Sequence, residues 1–290
     1  MFKALSPAGF FIIVMIYFLT LFGLSVMAST LDIDTSITDE QFLFSFKIKQ
    51  ALGVIMIFMV PACILVLLFT SEKLHYFLIH KAPSFWFVVI SSALIIVALP
   101  LIGYLEEINK AITLPVSFSG LETWMKSSEA KAQFIEDALM KELGLGNLMM
   151  NLFVIAFMAA LSEELFFRGL IQQALLKLTK NIHWAIWITA ILFSAFHLQF
   201  YGFIPRVVLG AILGYIFVWS GSLWTSIIVH FINNAVVLIM TYLMNTGRLP
   251  RAIQEIGMEG DKVTLSWALS GTFLVIACMY LLNKMRTPNL

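Results

Sequence analysis

The chain has 290 residues, of which 60% are hydrophobic and only 12% charged, and its mean hydropathy is +0.94. A soluble domain carries roughly 25% charged residues, so the composition points to an all-α polytopic membrane protein, whose backbone satisfies its own hydrogen bonds in lipid. The net charge of +1 gives no basic field for nucleic acid. The two cysteines, Cys63 and Cys278, both inside apolar runs, are too few for a disulfide framework and lack metal-ligand spacing.

A spanning helix needs about 20 apolar residues. Eight windows approach this, at 8–28, 48–69, 84–105, 147–172, 183–200, 204–219, 222–244 and 265–283. The first follows a single Lys3 and is too long for the apolar core of a cleaved signal, which is about 7–15 residues. No internal repeat is evident, so residues 1–290 read as one integral membrane domain. Between the third and fourth windows lies a different segment, 119–146. Ser119 and Glu122 have capping-box spacing. Phe134, Ile135, Ala138, Leu139 and Leu143 form an apolar stripe at helical spacing, and Gly144 and Gly146 supply a stop. This predicts an amphipathic helix at the membrane surface, or, on a sharper reading, a lid over an intramembrane site.

Loop charges set the orientation. With an even number of spans and both termini in the cytoplasm, the inner loops hold Lys3, Lys73, Lys81, Lys177, Lys180, Lys284 and Arg286 against Glu72. The outer segments then hold Asp32, Asp34, Asp39, Glu40, the acids between Glu106 and Glu142, Glu255, Glu259 and Asp261.

Several polar residues fall inside the windows, where a charge costs roughly 2.5–3.5 kcal/mol on insertion scales. The fourth window contains Glu163, Glu164 and Arg168, the fifth His197, and the seventh His230, Asn233 and Asn234. Glu164 and Arg168 are four apart, acid first, and share a helix face. Glu164 therefore reads as a structural counter-ion to Arg168. Glu163 points about 100° away and has no basic residue at i±3 or i±4, so its partner must come from another helix. At about 1.5 Å per residue, Glu163, His197, His230 and Asn234 reach similar depths, about 10–20 Å from the inner side. His230 and Asn234, again four apart, share a face.

A carboxylate and a histidine can hold and deprotonate a water. A second histidine and an amide can donate to a developing oxyanion. Together these parts suit hydrolysis of a peptide bond inside the membrane. The same groups could instead ligate a catalytic Zn²⁺ through Glu163, His197 and His230, with water as fourth ligand.

With these residues in place, the sequence resembles the CAAX protease and bacteriocin-processing family, known as CPBP or Abi proteins. The first family motif, EExxxR, is matched by Glu163, Glu164 and Arg168; the second, FxxxH, by Phe193 and His197; the third, HxxxN, by His230 and Asn234. The motifs fall in the family's order on three windows, and the resemblance covers residues 147–244, read as the catalytic core. It implies an intramembrane endopeptidase acting on a membrane-associated protein or peptide. In it Glu163 and His197 would prepare the water, His230 and Asn234 would stabilise the oxyanion, and Glu164 and Arg168 would support them. Phe193 would pack beside the site. The family has been described both as metalloproteases and as metal-independent glutamate proteases. Some members trim prenylated CAAX tails; others are tied to bacteriocin immunity or peptide maturation.

Other intramembrane proteases fit poorly. There is no HExxH run, no Asp within a window, and no GxSG nucleophile. Two rival readings come from other classes. A proton-linked transporter would use the intramembrane Glu, His and Arg, with Pro205, Gly210 and Gly214 breaking the sixth window. A non-catalytic scaffold or immunity protein would keep the polar cluster merely to join helices.

Overall fold

The structure is a computed structural model and describes residues 5–30, 40–140, 143–250, 258–259 and 262–287. Lys3, Asp32, Asp34, Asp39, Glu142, Glu255 and Asp261, which entered the orientation argument, lie outside the described residues.

Helix α1, Pro7–Ser29, starts where the Ser6 hydroxyl accepts from Gly9 N (3.2 Å) and Pro7 supplies a preset φ at the first turn. Helices α2, Glu40–Val54, and α3, Val60–Phe69, are joined by a π-helical run, Ile55–Met59, into one continuous span. Helices α4, Phe85–Val97, and α5, Leu99–Lys110, meet at a 43° bend. Pro100 lies one residue past the start of α5; it cannot donate a backbone hydrogen bond and crowds the preceding turn, which accounts for the bend. A 3₁₀ turn, Val116–Phe118, leads into α6, Ser119–Met140, the helix expected from the stripe. Glu122 pairs with Lys126 on its surface (2.7 Å).

The next helix is the longest. Helix α7, Leu145–Asn151, a π-helical run Leu152–Met158, α8, Ala159–Phe166, a second π-helical run Phe167–Gln172, and α9, Gln173–Thr179, form one 35-residue helix. At 1.5 Å per residue it is about 50 Å long, more than the roughly 30 Å hydrocarbon core. Then come α10, Ile182–Phe196, α11, Phe203–Ser220, and α12, Leu223–Asn245. A two-residue antiparallel ladder, Met258–Glu259 with Lys262–Val263, precedes α13, Leu265–Lys284.

Among the described residues, six helices are long and apolar enough to cross a membrane, or seven if the bent α4–α5 pair counts as one span. The fifth window yields only the 15-residue α10, because the chain turns at Leu198, whose φ is 54°. Eight full spans are therefore not seen, while the all-α, multi-pass membrane architecture is. Large apolar side chains such as Ile12, Ile16, Phe153 and Phe273 stay exposed on its outside, as acyl chains allow.

The sixth window is unbroken. Pro205 sits in the first turn of α11, where backbone N–H groups have no helical acceptor anyway. The glycines serve close packing. A Cβ on Gly210 would stand 3.2 Å from Ala190 Cβ, and one on Gly214 only 2.9 Å from both Gln172 Oε1 and Ile186 Cγ2. Small residues let helix backbones approach closely in lipid, where packing replaces the hydrophobic drive. Helix α12 runs through the middle, against α4, α8, α11 and the 152–158 run. Aromatic rings pack one side of α8: Phe58 lies 5.3 Å from Phe166, and Phe167 5.1 Å from Phe193.

Candidate active site

The two adjacent glutamates face different surroundings, as the helical offset predicts. Glu164 and Arg168 are fully buried, and Arg168 Nη1 donates to Glu164 Oε1 at 2.6 Å. The guanidinium is held twice more. Nη2 donates to Gly210 O on α11 (3.1 Å), and the group sits 4.7 Å from the centre of the Phe193 ring. Glu164 is not limited to the arginine, however. Its Oε1 also accepts from His230 Nδ1 on α12, at 2.8 Å. Helical spacing gives no sign of this second contact, because nothing in a single sequence says that α12 packs on α8. The only hint was a buried carboxylate with one assigned partner and spare lone pairs.

Glu163 is the open member of the pair. Its side chain keeps 14% of its exposure, and its Oε2 lies 3.9 Å from His230 Nε2. So the partner of Glu163 does come from another helix, at a distance that leaves both groups able to meet a third.

His197 caps the end of α10, and its Nδ1 contacts Phe193 O at 2.8 Å. A carbonyl only accepts, so Nδ1 carries a proton and Nε2 of the neutral ring presents its lone pair. Phe193 also packs edge-on against His197 (4.8 Å) and His230 (6.0 Å between ring centres). On α12, Asn233 Nδ2 donates to Asn234 Oδ1 (3.1 Å), leaving the Asn234 NH₂ group as the free side of that amide.

Glu163, His197, His230 and Asn234 all line one cavity of about 380 Å³. The structure thus brings together four of the six residues singled out in the sequence, and places Glu164 and Arg168 directly behind them. The remaining walls are largely apolar, from Val54, Val154, Ile155, Leu139, Val237 and Leu238. Helix α6 closes part of the cavity with Ile135, Glu136, Leu139 and Met140. It is tied to the end of α1, where Trp124 Nε1 donates to Ser29 Oγ (3.1 Å) and Lys131 Nζ to Ser29 O (2.9 Å). Partial withdrawal from water, with Asp137 and Glu129 close by, pushes the Glu136 carboxyl above its ordinary value. Gln50 and Gln199 also line the cavity; lying outside any motif, they carried no sequence signal.

Among the described residues, no three of His, Cys, Asp and Glu are arranged to hold a metal ion. As placed, Glu163, His197 and His230 do not make the three-ligand set of a catalytic zinc.

The family model described as "Rce1-like: Type II CAAX prenyl endopeptidase Rce1-like" matches residues 145–236. No curated protein and no solved structure matches the chain. The matched segment contains the EExxxR, FxxxH and HxxxN motifs complete and in order. Those motifs converge on one cavity in an all-α membrane protein, and over residues 145–236 the chain is similar to the type II CAAX prenyl endopeptidase family.

Proposed function

We propose that the protein is an intramembrane endopeptidase that hydrolyses a peptide bond of a membrane-associated protein or peptide by direct attack of water. The observation that supports this best is the cavity. Four groups suited to hydrolysis, drawn from three helices, share one space whose other walls are mostly apolar.

Each group has a role its contacts favour. Glu163 is not engaged by Arg168 and stands open to the cavity, so it is free to accept a proton from water. His197 Nε2, bare because Nδ1 is spent on Phe193 O, holds the same water. The hydroxide formed attacks the scissile carbonyl carbon. The developing oxyanion is met by the Asn234 NH₂ group and by His230 Nε2 when that nitrogen carries a proton. Glu164 fixes His230 through Nδ1, and Arg168 fixes Glu164. The proton taken from water passes to the leaving amine as the C–N bond breaks. One water and one peptide bond thus give a carboxylic acid and an amine, which settle as a carboxylate and an ammonium once the acid's proton passes to the amine. The lysine and arginine bias of the inner loops favours cytoplasmic placement of both termini.

The test compares protein termini in membranes containing the wild type or Glu163→Gln at matched abundance. Termini formed only with the wild type are expected, and they identify the substrate. Identical sets of termini across growth conditions would move the reading to a scaffold or a carrier.

A further inference from the structure

The turn between α10 and α11 is built more firmly than a connection requires. Leu198 stands at φ 54°, a left-handed conformation that strains a side-chain-bearing residue. The reversal there sends both His197 and Gln199 to the cavity wall. Contacts from several sides hold it. Ser194 Oγ donates to Phe203 O (2.8 Å), and the buried Asn109 of α5 both donates to Phe200 O (2.8 Å) and accepts from Ile204 N (2.7 Å).

Arg206 completes the set by gripping Gln199 at two oxygens. Nη1 donates to Gln199 O (3.2 Å) and Nη2 to Gln199 Oε1 (2.9 Å). A guanidinium has donors only. The oxygen side of the Gln199 amide must therefore face Arg206, and the NH₂ side turns away from it. Among the described residues that NH₂ group has no hydrogen-bond partner, and its residue lines the cavity two positions from His197.

A peptide extended through this cavity brings carbonyl groups that the valine, isoleucine and leucine walls cannot satisfy. In such surroundings an unmet peptide group is costly. We propose that Gln199 is a substrate-binding residue whose Nε2–H donates to a backbone carbonyl of the peptide, and that Arg206 is the positioning residue that aims it. The ligand is an extended main chain, recognised at this point without regard to its side chain. This proposal rests on the cavity being a peptidase site.

A purely structural Arg206–Gln199 staple and a substrate donor respond differently to Gln199→Glu. The glutamate keeps the grip of Arg206 but has no N–H. The measurement uses the purified full chain in liposomes, with a quenched fluorescent peptide spanning the cleavage point found in the membrane comparison. Gln199→Glu is expected to raise KM about tenfold, the loss of one hydrogen bond in a dry site, with kcat within about threefold and an unchanged melting temperature. Gly202→Ala should act more weakly, about threefold on KM, because its Cβ would stand 2.9 Å from Arg206 Nη2 and push the guanidinium off line.

A second measurement leaves the protein intact. Peptides carrying one ester linkage in place of an amide present a poorer acceptor at that position. One ester position should raise KM for the wild type and leave Gln199→Glu unaffected. An unchanged KM in Gln199→Glu, or ester effects equal in both proteins, overturns the proposal and leaves the peptidase reading standing. A wild type that cleaves no peptide overturns both.

Discussion

Two faces of one helix hold the central contrast. On the inner face of α8, Glu164 is dry and engaged, with Arg168 on one side and His230 on the other. On the cavity face, one residue earlier, Glu163 keeps partial exposure and has only a distant contact, 3.9 Å to His230. The residue type is the same and the position nearly so. Environment alone makes one carboxylate a strut and leaves the other open to the cavity. Packing decides which is which, because Gly210 on α11 and Phe193 on α10 build the arginine pocket on a single side.

The sharpest way to break this contrast is to neutralise each acid separately. Glu163→Gln should lower the cleavage rate by about 10²–10⁴-fold, the span of a lost general base, with no change in thermal unfolding in detergent. Glu164→Gln should do the reverse first. Removing one partner of a buried ion pair costs on the order of 3–5 kcal/mol, so its unfolding temperature should drop, and activity should fall with the loosened imidazole. Equal unfolding temperatures for the two variants would mean that the faces do not differ as described.

Asn234→Ala removes the proposed oxyanion donor and should cost about 10²–10³-fold in kcat, with KM little changed. A loss confined to KM would instead make Asn234 a binding residue. Gly214→Ala forces a methyl against Gln172 Oε1 and Ile186 Cγ2, each 2.9 Å away. Overpacking of this kind costs about 1–3 kcal/mol, to be read as a lower melting temperature on the structural side of the helix.

The smallest effect belongs to Glu136. Its raised pKa means that the fold favours the protonated form. That contribution to stability is present below the unfolded pKa and is lost as pH rises through the folded one. Glu136→Gln should therefore melt slightly higher than the wild type at neutral pH and match it in acid. A gain that persists equally in acid would sever the effect from titration.

Much of this was legible because helical spacing is rigid. The offset of Glu163 from Glu164, the i,i+4 pairing with Arg168 and the shared face of His230 and Asn234 all follow from 3.6 residues per turn. The amphipathic segment read correctly as a helix from Ser119 for the same reason. What escaped depends on contacts between helices or on breaks in periodicity. His230 on Glu164 needs the packing of α12 against α8. The π-helical runs at 152–158 and 167–172 change the winding around the motif without any residue that announces them. Window 183–200 stayed apolar past the point where Leu198 turns the chain, so hydropathy overstated its length. Gln199 is invisible to periodicity, since a lone glutamine in a turn carries no pattern.

The cavity has two sources. Glu163, His197, His230 and Asn234 lie within the segment 145–236 that matches the family. Gln50 and Val54 of α2, four residues of α6, and Val237 and Leu238 lie outside it. The four polar groups thus come from the matched segment, while much of the wall around them, though not Val154, Ile155 or Gln199, is supplied from outside it. On the proposed reading, substitutions along α2 and α6 should change which peptides are accepted while Glu163, His197, His230 and Asn234 stay as they are. Because α6 hangs from Ser29, even the end of the first helix bears on the shape of the cavity wall.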